Sequence, residues 1–287
     1  MTVSGKTRVC AVIGNPIEHS LSPVIQNAAF NALDLDVVYV AFTVKPSELA
    51  NALSGIRALD ILGLNVTMPH KETVIPYLDW IDNTAKCLNS VNTLHCKGGR
   101  LLGYSTDGVG ALEAFRGNGA DLQGKRVLML GAGGAARVIA YTLIEAAEVE
   151  ELVVLNRTVS EAEKLADIIK YKFDKKIVIG SLSSEVIGEE ISNSDVLLNT
   201  TSVGMKPNVD QRLITPDSLK SDLTVMDIVY NPFETQLVKD AKMVGAKVIS
   251  GVEMLIYQGA AAFEIWTGHK APVQVMRRAA LEQLNKG

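Results

Sequence analysis

Cysteine is scarce in this 287-residue chain, and its number is odd. Cys10, Cys87 and Cys96 lie among apolar residues, which predicts buried thiols in a reducing cytoplasm rather than a disulfide framework. Cys87, His95 and Cys96 approach a metal-binding group, yet no CxxC or HxxxH spacing completes it, so core packing is the reading and no metal is expected. A run of about 18 apolar residues is missing, so no helical membrane span is expected. The amino-terminal stretch has no long apolar segment before Gly14-Asn15-Pro16 and reads as a first strand, not a signal peptide. An excess of either charge is also missing: 28 Lys and Arg against 32 Asp and Glu leave a formal net charge of -4. That balance argues against a nucleic-acid or anionic-membrane partner, while a small anionic ligand needs only a local cluster. Neither a low-complexity linker nor a solenoid-type repeat is visible.

Alternation is what the chain does have. "RVCAVIG", "VVYVAF" and "ILGLNVT" read as strands, with "PVIQNAAFNAL" and "PSELANALSGI" as the helices between them. Such alternation predicts an α/β protein with mainly parallel strands joined by right-handed crossovers. "SVNTLHCKGGRLLGYST" interrupts it, since two short strands flanking Lys97-Gly98-Gly99-Arg100 are a hairpin signal. After Asp107 the alternation restarts through "RVLMLGAGG", "AARVIAYTLIEA", "ELVVLNRT", "SEAEKLADIIK", "KIVIG", "SDVLLNTTS", "LTVMDIVY" and "AKVIS". Residues 108–247 are therefore expected to form a Rossmann-like, doubly wound dinucleotide-binding domain. Residues 1–107 together with 248–287 are expected to form the other domain, with the last helices, "GVEMLIYQGAAAFEIW" and "APVQVMRRAALEQL", returning to it.

"VLMLGAGGAARV" places Gly131, Ala132, Gly133, Gly134 and Ala135 between a buried strand and a helix, with Ala136 closing a G-x-G-x-x-G/A pattern. Gly131 permits a tight turn, and Gly133 lets the backbone approach a pyrophosphate at the helix N-terminus. A glycine-rich connection without a ligand is the plainer alternative. The next strand ends in Asn156, Arg157 and Thr158. An acid commonly stands there to accept from the ribose 2′-hydroxyl of NAD. A guanidinium instead pairs with a 2′-phosphate, which favours NADP. Glu161 and Glu163 weaken such a site, and Lys164 offsets them.

A polar group also gathers in the first half. In "ILGLNVTMPHKET", Leu62, Leu64 and Val66 share one face, while Asn65 and Thr67 share the other near the strand's carboxyl end, where ligands of open α/β sheets bind. Lys71 reads as a helix-start residue opposing the macrodipole, or else as a solvated charge. Ser22 before Pro23 reads as an N-cap, which leaves Ser20 unexplained. Asn92 lies in a strand-like segment, and Asp107 either caps the next helix or serves a site at the domain join. Gln258 shares a helical stripe with Met254, Ala261 and Ile265, where an amide needs a partner, structural or ligand.

Taken in order, "SLSP", "NVTMPHK", "VNT", "STDGVG", "GAGGAAR", "NRT", "NTTSVGM", "VYNP" and "GVEMLIYQGAAAFEIWTG" make the whole chain resemble the shikimate dehydrogenase family, which includes quinate-oxidising enzymes. The resemblance implies NADP-dependent interconversion of 3-dehydroshikimate and shikimate, in chorismate and aromatic amino-acid biosynthesis, by a cytoplasmic monomer or homodimer. It implies that Ser20 and Ser22 bind the carboxylate, and that Asn65, Thr67, Asn92, Asp107 and Gln258 hold the ring hydroxyls. Lys71 becomes the acid–base residue beside Asp107, and Tyr230 lies near substrate and nicotinamide. Thr201, Ile228, Gly251 and Met254 border the cofactor. Glu161 departs from the second basic residue that NADP-using relatives often carry. Two alternatives follow: an NAD-using quinate/shikimate dehydrogenase, and a catalytically silent nucleotide-binding regulatory protein.

Overall fold

The computed structural model describes residues 3–286. The chain divides into two compact units, one running up to Gly110 and resuming at Ile256, the other spanning Ala111–Leu255.

The first unit is built on β1 (Arg8–Gly14), β2 (Val37–Thr43), β3 (Gly63–Val66), β4 (Trp80–Ile81), β5 (Thr93–Lys97) and β6 (Arg100–Tyr104). They form one sheet in the order β2-β1-β3-β5-β6-β4. The pairs β1–β2, β1–β3 and β4–β6 are parallel, whereas β3–β5 and β5–β6 are antiparallel. The turn at Gly98 and Gly99 supplies two left-handed residues, φ 59° and 74°, as a two-residue hairpin requires. From Cys10 to Gly14 in β1 and throughout β3 the residues are buried on both faces, as central strands covered by helices must be. Around the sheet lie α1 (Ser22–Ala32), α2 (Leu49–Ala58), α3 (Asn83–Leu88) and the start of α4 (Asp107–Gly117). The C-terminal part of the chain returns here, as expected: α10 (Val273–Leu284) packs on α1, and Phe263 of α9 (Gly251–Thr267) meets Phe30 with ring centroids 5.1 Å apart.

Three local expectations fail. Lys71 does not begin a helix; residues 71–74 are turns leading into a short 3-10 segment, Ile75–Tyr77. Pro69 and Pro76 remove two backbone donors within eight residues, so an α-helix cannot propagate, and the macrodipole argument for Lys71 lapses. Ser22 is the first helical residue of α1, not its cap; Leu21 takes the cap position, with no side-chain hydrogen bond. Cys87 is exposed on α3, while Cys10 and Cys96 are buried.

The second unit holds β7 (Arg126–Leu130), β8 (Glu151–Asn156), β9 (Lys176–Ser181), β10 (Val196–Asn199), β11 (Thr224–Asp227) and β12 (Lys247–Ser250). Every pairing is parallel, in the order β12-β11-β10-β7-β8-β9. That is the doubly wound arrangement, with its topological switch between β7 and β10. The crossover helices are α5 (Gly134–Ala146), α6 (Val159–Lys172), α7 (Ser184–Ser192) and α8 (Gln236–Met243). Leu128, Leu130, Val153, Leu155, Leu197 and Val225 form the core against α7 and α8. Strand β12 pairs with β11, which keeps its residues in this unit. Among the described residues no helix is long and apolar enough to cross a membrane.

Candidate active site

In the first unit the polar residues converge where β1 and β3 end. The Lys71 ammonium lies 2.6 Å from Asp107 Oδ2, with side chains 22% and 6% exposed. The Asp107 carboxylate faces Lys71 and Asn92 instead of capping α4: Asn92 Nδ2 donates to its Oδ1 at 2.8 Å. Asn92 is held in turn by Thr106, whose backbone N–H donates to Asn92 Oδ1 at 2.8 Å and whose hydroxyl accepts from Nδ2 at 3.0 Å. Gln258 Oε1 lies 3.4 Å from Asn92 Nδ2 and 3.5 Å from Thr106 Oγ1. α9 brings it there because Gly110 lets α4 touch α9: a Cβ at Gly110 would come within 2.8 Å of the Gln258 backbone nitrogen.

Asn65 extends the cluster. Its Nδ2 donates to Asn92 O (3.2 Å) and Thr93 Oγ1 (3.1 Å), and its Oδ1 accepts from the Tyr39 hydroxyl (2.7 Å). Burial pushes the Tyr39 phenol well up, the Cys10 thiol adds to this, and a hydrogen bond with Ser22 opposes it. Tyr39 thus braces Asn65 from β2. Sequence reasoning overlooked it, although a phenol inside the apolar "VVYVAF" needs a partner and was a signal. Ser20 Oγ accepts from the Ser22 N–H at 3.2 Å, so the hydroxyl left unexplained is the one with a local role. Thr67 is half-buried just past β3, with its N–H donating to Ile13 O.

In the second unit the glycine loop joins β7 to α5. Gly131 has φ 109°, and a Cβ there would come 2.6 Å from Thr200 Oγ1. Gly133 is the N-cap of α5, no side chain caps the helix, and nothing lies within 4 Å of where its Cβ would be. Open space above uncapped N–H groups suits an anion. Asn156 Nδ2 donates to Thr158 O, Arg157 and Thr158 are exposed, and no side chain caps α6. Glu161 lies 2.6 Å from Lys164 and 3.9 Å from Arg137, so its charge is matched within the protein. These residues fit a dinucleotide carrying a 2′-phosphate. At the other side of the switch, Thr201 is bonded to Asn199, and Gly251 packs against the Ile228 backbone. Met254 is buried, and burial raises the Tyr230 phenol above its ordinary range.

Three family descriptions match the chain in order: the shikimate dehydrogenase substrate binding domain over residues 12–94, shikimate/quinate 5-dehydrogenase over 113–231, and the shikimate 5'-dehydrogenase C-terminal domain over 251–281. The curated shikimate dehydrogenase (NADP(+)) of Methanopyrus kandleri is 46% identical over 286 residues, covering 99% of this chain and 98% of its own. The chain belongs to the shikimate dehydrogenase family. The solved structures agree: a member of the family in complex with NADP+ is 41% identical with a TM-score of 0.91, covering 99% of this chain and 98% of its own. Shikimate 5-dehydrogenase from Listeria monocytogenes, in complex with shikimate and NAD, is 37% identical with a TM-score of 0.88, covering 97% and 98%.

Proposed function

We propose that this chain is an NADP-dependent shikimate dehydrogenase, reversibly reducing 3-dehydroshikimate to shikimate on the route to chorismate and aromatic amino acids. The observation that carries the reading is the Lys71–Asp107 pair at 2.6 Å, held by Asn92 inside a cluster of amides and hydroxyls. In this reading the unit containing Lys71 binds substrate in the cytoplasm, and the doubly wound unit binds the dinucleotide. Ser20 and Ser22 take the carboxylate, while Asn65, Thr67, Asn92, Asp107 and Gln258 take the ring hydroxyls. Gly131 to Ala135 hold the pyrophosphate, and Asn156, Arg157 and Thr158 hold the 2′-phosphate. Thr201, Ile228, Tyr230, Gly251 and Met254 line the nicotinamide side.

The nicotinamide supplies or accepts the hydride. During reduction, negative charge builds on the carbonyl oxygen as its carbon gains the hydride. The Lys71 ammonium stabilises that oxygen and gives it a proton; its N–H bond breaks as the new O–H bond forms. In the reverse direction neutral Lys71 removes the hydroxyl proton. Asp107 orients Lys71, and Asn92 orients Asp107. Partial exposure of Lys71 lets water restore its protonation state.

An NAD-using quinate/shikimate dehydrogenase is the second reading, favoured by one feature, the Glu161 carboxylate beside the 2′-phosphate position. Initial rates of absorbance change at 340 nm with shikimate or quinate, each with NADP+ or NAD+, test both. The fastest turnover is expected with shikimate and NADP+. Equal or faster rates with NAD+ or quinate favour the second reading, and no turnover in any combination favours a silent nucleotide-binding protein.

A further inference from the structure

Asp227 is a buried acid that the reaction scheme leaves unused. It ends β11, directly opposite Asn199 at the end of β10, and it is fully buried. Its carboxylate gathers three segments. Oδ1 accepts from Asn199 Nδ2 at 2.9 Å and from the Val229 N–H at 3.0 Å, and Oδ2 accepts from the Thr235 hydroxyl at 2.6 Å. The chain of bonds then runs outward. Asn199 Oδ1 accepts both the Thr201 N–H (3.0 Å) and the Thr201 hydroxyl (2.7 Å), and Thr201 Oγ1 accepts the Val203 N–H (3.1 Å).

Direction is built into this relay. An ionised carboxylate only accepts, so Asn199 must turn its NH2 toward Asp227 and its carbonyl toward Thr201. The Thr201 hydroxyl must then donate inward, which leaves its oxygen as an acceptor. The same carboxylate holds Val229, between Ile228 and Tyr230. We propose that Asp227 is the positioning residue for the nicotinamide side of the cofactor site, its ionised carboxylate fixing both the 199–203 loop and the segment after β11. This rests on the functional reading above, which puts Thr201 and Ile228 beside the cofactor.

Burial holds the Asp227 carboxyl up at about 6, against the opposing bonds from Thr235, Val229 and Asn199. The titratable and charged groups on the elements around it are few. The segment after β11 carries Tyr230, kept neutral by burial, and Glu234, which pairs with Lys242. α8 carries Asp240, matched by Arg212 at 2.9 Å. The register partners of Asp227 on β10 and β12 are Asn199 and Ser250, neither charged. Protonation, like Asp227→Asn, places a donor at Oδ2, where Thr235 must then accept, and removes the charge that strengthens the bonds Oδ1 accepts from Asn199 and Val229.

The test is titration calorimetry of NADP+ into the full chain at pH 7.5 and 5.0, with thermal unfolding as a check of folding. The 2′-phosphate itself titrates near pH 6, so the wild-type to variant ratio is the readout. Asp227→Asn is expected to weaken NADP+ binding about tenfold at pH 7.5, with the ratio falling toward one at pH 5.0, and to leave the KM for shikimate unchanged. Thr235→Val, which removes a bond that favours the ionised carboxylate, is expected to shift the acid loss of binding to higher pH, and Thr235→Ser to restore it. A ratio near one at both pH values, or a weakened ratio that does not change with pH, overturns the inference. If Asp227→Asn does not fold, an unshifted Thr235→Val profile overturns it alone. Absence of NADP+ binding by the wild type would instead defeat the functional reading.

Discussion

A lysine ammonium 2.6 Å from a carboxylate that is 6% exposed combines two roles that substitution can separate. Lys71→Ala removes charge and proton together, and kcat is expected to fall by about 10²–10⁴ with a much smaller change in the KM for shikimate. Lys71→Arg keeps a charge beside Asp107 but cannot release its proton near neutral pH. Its kcat is expected to fall nearly as far while its melting temperature stays close to wild type; full turnover in Lys71→Arg would remove proton transfer from the role of Lys71. Arg157 makes a different test. It is exposed, so its loss has little effect on folding. Arg157→Ala is expected to raise the KM for NADP about tenfold, the worth of a charge-assisted bond, and to leave that for NAD nearly unchanged. Equal effects on both cofactors would show that Arg157 does not read the 2′-phosphate. Lys71, Asp107, Asn92 and Arg157 were legible as candidates because charges and amides beside apolar strands are conspicuous. Tyr39 and Thr106 were not, because their role is to hold other polar side chains, and sequence does not show what a hydroxyl touches.

Among the elements, the turn after β7 is constrained both by its backbone angle and by a close neighbour. Gly131→Ala places a Cβ 2.6 Å from Thr200 Oγ1 at φ 109°. Backbone strain of this kind costs about 1–3 kcal/mol. Urea unfolding should show that loss, and the KM values for NADP and NAD should rise together, unlike the split expected of Arg157→Ala; unchanged KM values would place the pyrophosphate elsewhere. Long strands and helices were legible from hydrophobic period alone. Strand β4 and helices α3, α7 and α8 were not, since a two-residue strand shows no alternation and helices of six to nine residues span too few turns to show a stripe. Their caps did leave a trace: Asp82, Ser183 and Thr235 each accept from the backbone N–H three residues on, and acid or hydroxyl residues at such spacing are start signals. The segment at Lys71 misled because a lysine after a proline looks like a helix start until Pro76 is counted.

For the whole chain, ligand binding should appear as stability. NADP+ at a hundred times its Kd is expected to add about 2.7 kcal/mol to unfolding of the protein that binds it. A thermal melt with NADP+, with NAD+ and without either measures this, and the NADP+ shift should be the larger at equal concentration. An identical shift with both would point to a cofactor site blind to the 2′-phosphate.

The amino-acid order by itself determined the α/β class, the succession of strands and helices, the glycine loop before α5, and a charge balance that argues against a nucleic-acid partner. Each of these is read within a window of some twenty residues, where side-chain period and turn chemistry act locally. The strand order β12-β11-β10-β7-β8-β9, the pairing of Lys71 with Asp107 and the arrival of Gln258 at Asn92 were decided only in three dimensions. Those contacts join residues 36 and 166 positions apart, and they form because strands pair in register and helices bury their apolar faces, which no short stretch of chain encodes.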